Sequence, residues 1–194
     1  MRLSKIGIVI ALAMGSCSAF AAGTSGSPVQ GGNGSVNING TITTGTCVVS
    51  VDSTDQAFSL TQDAIKQAKP AQQLDEKYST FTISGCSGTA VNVVMTPSKA
   101  TSDPLFAFFN ETNKGIRYQI VGENTGGQWS YSDTGSNISA STFVFPNNGV
   151  GRTITPDSDN ATFKVKTRVT RLSGDVGVLP SSVTASYTYS FVYK

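Results

Sequence analysis

Histidine is absent from the 194-residue sequence, and charged residues make up only 13% of it. Histidine is the commonest general base and a common metal ligand at neutral pH, so its absence argues against most hydrolases and many metal sites. No nucleophile motif takes its place. Asp157 and Asp159 lack the glycine and the closing glutamate of a calcium loop, and they predict a polar turn. We therefore predict a protein that is not an enzyme and has no metal or other cofactor.

Long hydrophobic runs are also missing, apart from the short apolar segment 6–14 near the start. Basic residues precede this segment, and small residues at Ala21 and Ala22 suit cleavage by signal peptidase. The segment is too short to span a bilayer. A lipoprotein acylated at Cys17 is the alternative, but the residues before Cys17 match the usual acylation motif poorly. We predict that residues 1–21 form a signal peptide and that the protein is exported through the periplasm.

The mature chain that this cleavage predicts carries no net charge. All 12 acidic residues follow residue 21, and so do 12 of the 14 basic residues, because only Arg2 and Lys5 precede it. A neutral surface without a basic cluster argues against binding to nucleic acid or to an anionic membrane. About 173 residues remain after cleavage, which is enough for one domain with a substantial core.

Two cysteines remain after cleavage, Cys47 and Cys86. In an exported protein such a pair predicts one disulfide bond, and two buried free thiols are the less favoured alternative. In the chain-entropy view, closing a loop of this size stabilises the fold by roughly 3–4 kcal/mol.

Segments rich in β-branched and aromatic residues alternate with turn clusters through the rest of the chain. The predicted strands are 47–51, 57–60, 78–84, 90–95, 116–121, 129–131, 141–145, 163–172 and 183–194. In the strand over 163–172, the basic side chains Lys164, Lys166 and Arg168 predict a solvated outer face. The segment 61–74 is the least β-like, and Pro70 limits it to a loop with one helical turn. This pattern predicts an all-β sandwich.

The two ends of the mature chain carry the clearest period-two alternation. The inward face of the C-terminal strand consists of Tyr187, Tyr189, Phe191 and Tyr193. The apolar or small positions near the N-terminus are Val36, Ile38, Gly40 and Ile42, and they follow a segment rich in Gly, Ser and Asn. A flexible arm with an apolar strand, together with an aromatic strand at the other end, suggests assembly by strand exchange.

These landmarks, in this order, resemble the structural pilin subunits of bacterial chaperone–usher fimbriae of the type 1 class. The residues that carry the resemblance are Val36-x-Ile38-x-Gly40-x-Ile42, Cys47, Phe81-x-Ile83-x-Gly85-Cys86, Gly115-Ile116 and the penultimate Tyr193. The resemblance implies an incomplete immunoglobulin-like β-sandwich, the pilin fold, over residues 46–194. It also implies that residues 22–45 form an arm that completes the sandwich of a neighbouring subunit.

Roles for both terminal strands follow from the resemblance. It implies that Val36, Ile38, Gly40 and Ile42 form the donor strand. It implies that Tyr187, Tyr189, Phe191 and Tyr193 form the acceptor edge, which a periplasmic chaperone occupies first. An outer-membrane usher then exchanges the chaperone strand for the arm of the next subunit, by β-augmentation. The implied product is a cell-surface fimbria that supports cell adhesion.

A one-domain adhesive tip pilin is the alternative function, with a host glycan or protein as its receptor. Trp129 and Tyr131 in a Gly-rich stretch are the candidate contact residues, although aromatic residues in a sandwich are more often buried. The length leaves no room for a separate lectin domain beside one pilin domain. An exported hydrolase is a third class, which the missing histidine disfavours.

Overall fold

The computed structural model of the protein describes residues 28–35 as backbone, and residues 47–109, 115–177 and 183–194 with their side chains. The predicted cleavage site at Ala21 and Ala22 and the predicted donor-strand residues Val36, Ile38, Gly40 and Ile42 lie outside the described residues.

Within these ranges the chain forms ten strands and one short helix. The elements are β1 (Pro28–Ser35), β2 (Val48–Val51), α1 (Gln62–Gln67), β3 (Gln73–Ser84), β4 (Val91–Pro97), β5 (Ile116–Glu123), β6 (Gly127–Tyr131), β7 (Thr142–Phe145), β8 (Arg152–Pro156), β9 (Asn160–Arg171) and β10 (Tyr187–Tyr193). The described part of the chain contains no helix long and apolar enough to cross a membrane.

The strands form two antiparallel sheets that pack face to face, so the predicted all-β, immunoglobulin-like sandwich is confirmed. One sheet has the order β6-β8-β4-β10-β1, and the other has the order β1-β2-β3-β9-β5-β7. β1 borders both sheets: it runs antiparallel to β10 and parallel to β2.

Aromatic side chains from the two sheets fill the space between them. Phe81 on β3 stacks on Phe163 of β9, with ring centroids 5.4 Å apart. Phe191 on β10, in the opposite sheet, lies 5.8 Å from Phe81. Trp129 on β6 is fully buried, and its ring meets Phe163 edge-on at 4.9 Å. Because alternate residues of each strand point inward, the period-two pattern of the sequence places these rings in one core.

The disulfide bond between Cys47 and Cys86 is confirmed. Cys47 immediately precedes β2, and Cys86 follows β3 after one residue. These strands pair with Val48 opposite Ser84, which brings the two Cα atoms within 5.1 Å of each other. Gly85 has a φ of +70°, which other residues rarely adopt, and this turn leads the chain from β3 into Cys86.

Several parts of the chain differ from the sequence-based prediction, among them β1, which lies in the segment expected to be a flexible arm. Residues 57–60 do not form the predicted strand, because the chain there leads directly into α1, whose first turn Thr61 caps by accepting a hydrogen bond from the Ala64 amide. The predicted C-terminal strand begins at Tyr187 rather than at Val183. β8 was not predicted, since its sequence Arg-Thr-Ile-Thr-Pro mixes polar residues on both faces.

Candidate functional site: the groove beside the C-terminal strand

The two edges of β10 have different neighbours. Along one edge, β4 pairs with all of β10, from Tyr187 opposite Pro97 to Tyr193 opposite Val91. Along the other edge, β1 pairs with β10 only between Val192 and Thr188, with an irregularity in the register. Within the described residues, the pairing with β1 therefore reaches Thr188 but not Tyr187, the first residue of β10.

The four residues predicted as the acceptor edge lie on one face of β10. Phe191 and Tyr193 are buried, whereas Tyr187 and Tyr189 are half-buried. The Tyr189 ring meets Phe81 edge-on at 5.2 Å. The structure thus brings all four side chains to the core side of one strand, as the alternation predicts.

The Tyr193 end of β10 is fixed to the opposite sheet by a buried hydrogen bond. The Cys47 amide donates to the Tyr193 hydroxyl at 3.0 Å. Buried tyrosine hydroxyls need a partner, and this one finds it beside the disulfide bond. In addition, the Lys194 amide donates to the Ala90 carbonyl at 3.1 Å, which holds the chain against β4 beyond the strand. This end of the groove is closed.

The other end of β10 borders a cavity of about 600 Å³. One wall consists of residues 183–187. The remaining apolar walls come from the chain before α1, from α1 itself, and from the start of β5 and the segment before it. Their side chains are Phe58, Leu60, Ile65, Phe109, Ile116 and Tyr118. A volume of this size falls within the range of about 300–1,000 Å³ typical of ligand pockets.

The cavity is lined by uncharged side chains only, within the described residues. Two tyrosines contribute hydroxyl groups to its wall. Burial raises the pKa of Tyr187 to about 12, and burial also raises the pKa of Tyr118. The Tyr118 hydroxyl donates to the Ser186 carbonyl at 3.3 Å, and the Ser98 amide donates to the same oxygen at 2.8 Å. Polar side chains such as Gln56, Gln62 and Thr167 share this lining with the apolar ones, so it suits an uncharged occupant with apolar side chains better than an ion.

Arg171 at the end of β9 holds the α1 wall in place. The guanidinium is buried, and its Nε donates to the Ile65 carbonyl at 3.0 Å. Its terminal nitrogens donate to the carbonyls of Leu172 and Gly174. Ile65 is itself buried beneath the helix. Because one side chain satisfies three carbonyl oxygens, this wall is preformed rather than loose.

Gly115 sets the position of the β5 wall. Its φ is +75°, and a Cβ atom there would lie 2.8 Å from the Cγ1 atom of Val176. A residue with a side chain would therefore push the two segments apart. β5 begins immediately afterwards at Ile116, as the sequence predicts.

The candidate receptor-contact residues differ in exposure. Trp129 is fully buried, and its indole nitrogen donates to the Thr125 carbonyl at 2.9 Å, so it belongs to the core. Tyr131 is 39% exposed, and the Arg152 guanidinium lies 4.9 Å from its ring centroid. The structure thus leaves only Tyr131 of this pair at the surface.

The basic row on β9 is neutralised by carboxylates on neighbouring strands. Lys166 lies 3.2 Å from Glu76 and 2.9 Å from Glu123, and Arg168 donates to Glu76 at 2.9 Å. Burial alone would raise the pKa of Glu76, but hydrogen bonds from Arg168 and Lys166 outweigh burial and lower it. Lys164 lies over the Tyr78 ring. Two carboxylates thus face three basic side chains, so ion pairs engage two of the three and this face is not an open basic patch.

Comparison with known proteins gives no identification. Neither a protein-family model nor a curated protein matches the chain. No cluster of three or more potential metal ligands occurs in the described ranges. The function must therefore be argued from the groove itself.

The sequence did not predict the cavity wall formed by residues before and within α1. Phe58, Leu60 and Ile65 come from a segment that the sequence divides into a short strand and a loop. The available signal was three large apolar residues within a mostly polar stretch between β2 and β3. Within the described residues this stretch has no partner strand, and its large apolar side chains pack against the core instead.

Proposed function

We propose that this protein is a structural subunit of a cell-surface fimbria, assembled by donor-strand exchange through a periplasmic chaperone and an outer-membrane usher. The observation that carries the proposal is that β10 accepts a strand along one edge, between Val192 and Thr188 in the described residues, and that an uncharged cavity borders its Tyr187 end. A groove that combines a strand edge with an uncharged, partly apolar cavity suits an extended peptide with alternating apolar residues. The resemblance of the sequence to fimbrial pilins supports the same function.

The occupant that we propose is the segment Val36–Ile42 of a neighbouring subunit. In the register of β1, Ser35 lies opposite Thr188. Continued without a shift, this register places Val36 opposite Tyr187 and Ile38 opposite Ala185. Odd-numbered residues of β10 point inward, and Ala185, which precedes β10, lines the cavity, so Val36 and Ile38 of the donor would face the cavity if the pairing extends beyond β10.

The next inward position in this register belongs to Gly40, which comes opposite Val183. A glycine suits a place where the donor backbone passes close to the acceptor, and Ile42 then supplies an apolar side chain further along. In this register the apolar residues of the donor lie opposite the inward-facing residues of the acceptor. A shift of the donor by one residue would turn its apolar side chains toward solvent.

Filling the cavity favours the polymer over the free subunit. Burying a Val or Ile side chain contributes about 1.5–3 kcal/mol, although ordering the arm offsets part of this gain. A strand edge without a partner beside an uncharged cavity would be a site of aggregation, which would give a protective chaperone a physical purpose before the arm of another subunit arrives. In the proposed fimbria, the arm of each subunit fills the groove of the next in this way, and the resulting polymer supports cell adhesion.

The test is a gel of material sheared from the cell surface, run in SDS with and without prior heating. Strand-exchanged polymer gives a ladder in cold SDS that collapses to one band on boiling. Ile38→Asp should abolish the ladder and leave chaperone binding intact, because the charge would enter the apolar cavity. Asn37→Asp places the same charge on the opposite face of the donor, and it is the matched control. A monomer band in all lanes of the unsubstituted protein contradicts the proposal.

A further inference from the structure

The segment that precedes β10 is held in place through one carbonyl oxygen. In the described part of the chain, residues 183–186 belong to no strand, and the ladder between β4 and β10 ends at Tyr187. The Ser186 carbonyl nevertheless accepts two hydrogen bonds, from the Tyr118 hydroxyl at 3.3 Å and from the Ser98 amide at 2.8 Å. These bonds fix the backbone at the point where the cavity wall meets β10.

The two donors belong to opposite sheets. Ser98 directly follows β4, whereas Tyr118 lies on β5 in the other sheet. A backbone carbonyl oxygen has two lone pairs, so the two donors can bind Ser186 together. The Ser98 amide ties the segment to its own sheet. Because Tyr118 and residues 183–187 both line the cavity, the bond from Tyr118 also fixes the distance between two of the cavity walls.

Tyr118 is itself held by contacts on several sides. It exchanges two backbone hydrogen bonds with Ala107, at 2.8 and 2.9 Å, and it lies opposite Val169 of β9. Its ring is 1% exposed and meets Phe109 edge-on, with ring centroids 5.3 Å apart. Since the backbone and the ring are both fixed, the hydroxyl provides a defined anchor for the Ser186 carbonyl.

Packing alone does not require a tyrosine at position 118. A phenylalanine has the same ring and would keep the contact with Phe109. The hydroxyl adds the bond to a segment whose residues 184–186 are exposed. A backbone outside a ladder loses conformational entropy when a strand pairs with it, so a segment that is held in advance binds a strand at a lower cost.

The bond to Ser186 also orients the neighbouring residue. In an extended chain, successive residues direct their N–H and C=O groups toward opposite edges. The Ser186 carbonyl points toward Ser98, on the β4 side. With the segment extended, the backbone groups of Ala185 would point toward the other edge, along which β1 pairs with β10. This is the edge that the proposed donor strand would meet beyond β1.

We infer that Tyr118 is a positioning residue of the acceptor edge, whose hydroxyl holds residues 183–186 in line with β10 for a donor strand. This inference rests on the proposed function and adds the residue that prepares the site. A donor can then pair beyond Thr188 and place its apolar side chains in the cavity. The hydroxyl acts through the Ser186 carbonyl, whereas the ring of Tyr118 forms part of the cavity wall.

The test is a double-mutant cycle between the protein and a peptide, with affinities measured by fluorescence anisotropy. The protein is the purified mature chain, with and without Tyr118→Phe, which keeps the ring and removes the hydroxyl. The labelled synthetic peptides have the sequence of residues 28–42, either unchanged or with Ile38→Ala. When the register of β1 is continued, Ile38 lies opposite Ala185, so the peptide change removes an apolar side chain at the positioned segment.

We expect Tyr118→Phe to bind the unchanged peptide about fivefold more weakly, which is the effect of losing one ordinary hydrogen bond. The unsubstituted protein should bind the Ile38→Ala peptide about 30-fold more weakly than the unchanged one. In Tyr118→Phe this second loss should be smaller, about tenfold or less, because the segment opposite Ile38 is no longer held. A role of the hydroxyl in stability alone would leave the loss from Ile38→Ala the same in both proteins.

Tyr78→Phe is the matched control, because it removes a hydroxyl from an exposed tyrosine outside the cavity wall. It should bind both peptides as the unsubstituted protein does. Disulfide formation, checked by mass spectrometry, and the urea midpoint establish that each variant is folded.

Equal binding of the unchanged peptide by Tyr118→Phe and by the unsubstituted protein would overturn this inference. An equal loss from Ile38→Ala in the two proteins would also overturn it, and either result leaves the proposed function intact. Failure of the unsubstituted protein to bind the unchanged peptide would overturn the proposed function together with this inference, since the groove would then not accept a strand.

Discussion

The two ends of β10 are built for different tasks. At the Tyr193 end, a hydroxyl–amide hydrogen bond and a disulfide bond tie the strand to the opposite sheet, and the side chains are buried. At the Tyr187 end, the same strand borders an open, uncharged cavity. The closed end contributes to the stability of the fold, and under the proposed function the open end receives a strand of another subunit. A substitution at one end should therefore affect folding, and one at the other end should affect assembly.

The largest effect is expected at the closed end. Tyr193→Asp would place a carboxylate at a position that is 2% exposed and remove the acceptor of the Cys47 amide. We expect a loss of about 3–5 kcal/mol in the free energy of unfolding, measured in urea, and depletion of the subunit from the periplasm.

Tyr193→Phe is the matched control, because it keeps the ring and removes only the hydroxyl. It should lower the free energy of unfolding by about 1–3 kcal/mol, the penalty of one unsatisfied buried amide. Normal periplasmic levels and an unchanged urea midpoint for Tyr193→Asp would show that the buried Tyr193 ring and its hydrogen bond from Cys47 do not stabilise this end of β10.

The next largest effect is expected at the wall of the open end. Arg171→Met keeps most of the side-chain volume and removes the donors to the carbonyls of Ile65, Leu172 and Gly174. We expect a loss of about 3 kcal/mol in the free energy of unfolding, because several buried carbonyls lose their partners. A synthetic peptide with the sequence of residues 28–42 should also bind more weakly, as measured by fluorescence anisotropy, because α1 forms part of the cavity wall.

Arg171→Lys is the control for charge. It restores the positive charge but not the planar set of donors, so it should recover only part of the loss. An unchanged peptide affinity in Arg171→Met, measured where the protein is still folded, would mean that α1 is not part of the acceptor site.

The closed end was easier to predict from sequence than the open end. Period-two alternation gave the inward faces of β3, β9 and β10, and two remaining cysteines gave the disulfide bond. These features depend on local pattern and on pairing rules that a sequence carries directly. The cavity depends instead on residues 54–65 meeting residues 183–187, more than a hundred positions later, and no local pattern encodes that contact.

Strand β1 was unpredictable for a different reason. Its glycine-rich sequence has no alternation, and its pairing depends on the edge that β10 leaves available. β8 was missed because Thr153 and Thr155 flank its inward Ile154, so the short segment lacks a distinct apolar face. In both cases the neighbouring strands, rather than the segment's own residues, determine the structure.

Ionisation of Tyr187 at alkaline pH should lower the free energy of unfolding by less than the substitutions of Tyr193 or Arg171 described above. Burial raises the pKa of Tyr187 to about 12 and also raises that of Tyr118, whereas an unfolded tyrosine ionises near pH 10. Between these values the unfolded chain has released protons that the folded chain still holds. Through Tyr187 alone, the free energy of unfolding is therefore unchanged below about pH 10 and falls by about 2 kcal/mol as the pH rises toward 12, and Tyr118 adds to this decline.

Urea midpoints measured across this pH range provide the check. Tyr187→Phe should flatten the alkaline decline, and Tyr78→Phe, at a tyrosine that is 54% exposed, is the control. An identical decline in both variants would assign the alkaline sensitivity to another group.

The smallest effect is expected far from the groove, on the ion-paired face of β9. Arg168 and Lys166 lower the pKa of Glu76 despite its partial burial, so its carboxylate stabilises the fold above its unfolded pKa. This contribution is lost as the pH falls through the lower, folded pKa. Glu76→Gln should remove about 1 kcal/mol at neutral pH, and added salt should shrink the difference.

This last substitution also sharpens the comparison between the two ends of β10. Glu76 pairs with side chains on the outer face of its sheet, away from the cavity, so Glu76→Gln should lower the stability of the free subunit and of the peptide-filled subunit equally. Asp157→Asn, at an exposed carboxylate outside the cavity wall, is the control for loss of charge. If Glu76→Gln changed the affinity for the peptide 28–42, the groove would be coupled to the outer face. Assembly would then depend on the whole sheet and not on the open end alone.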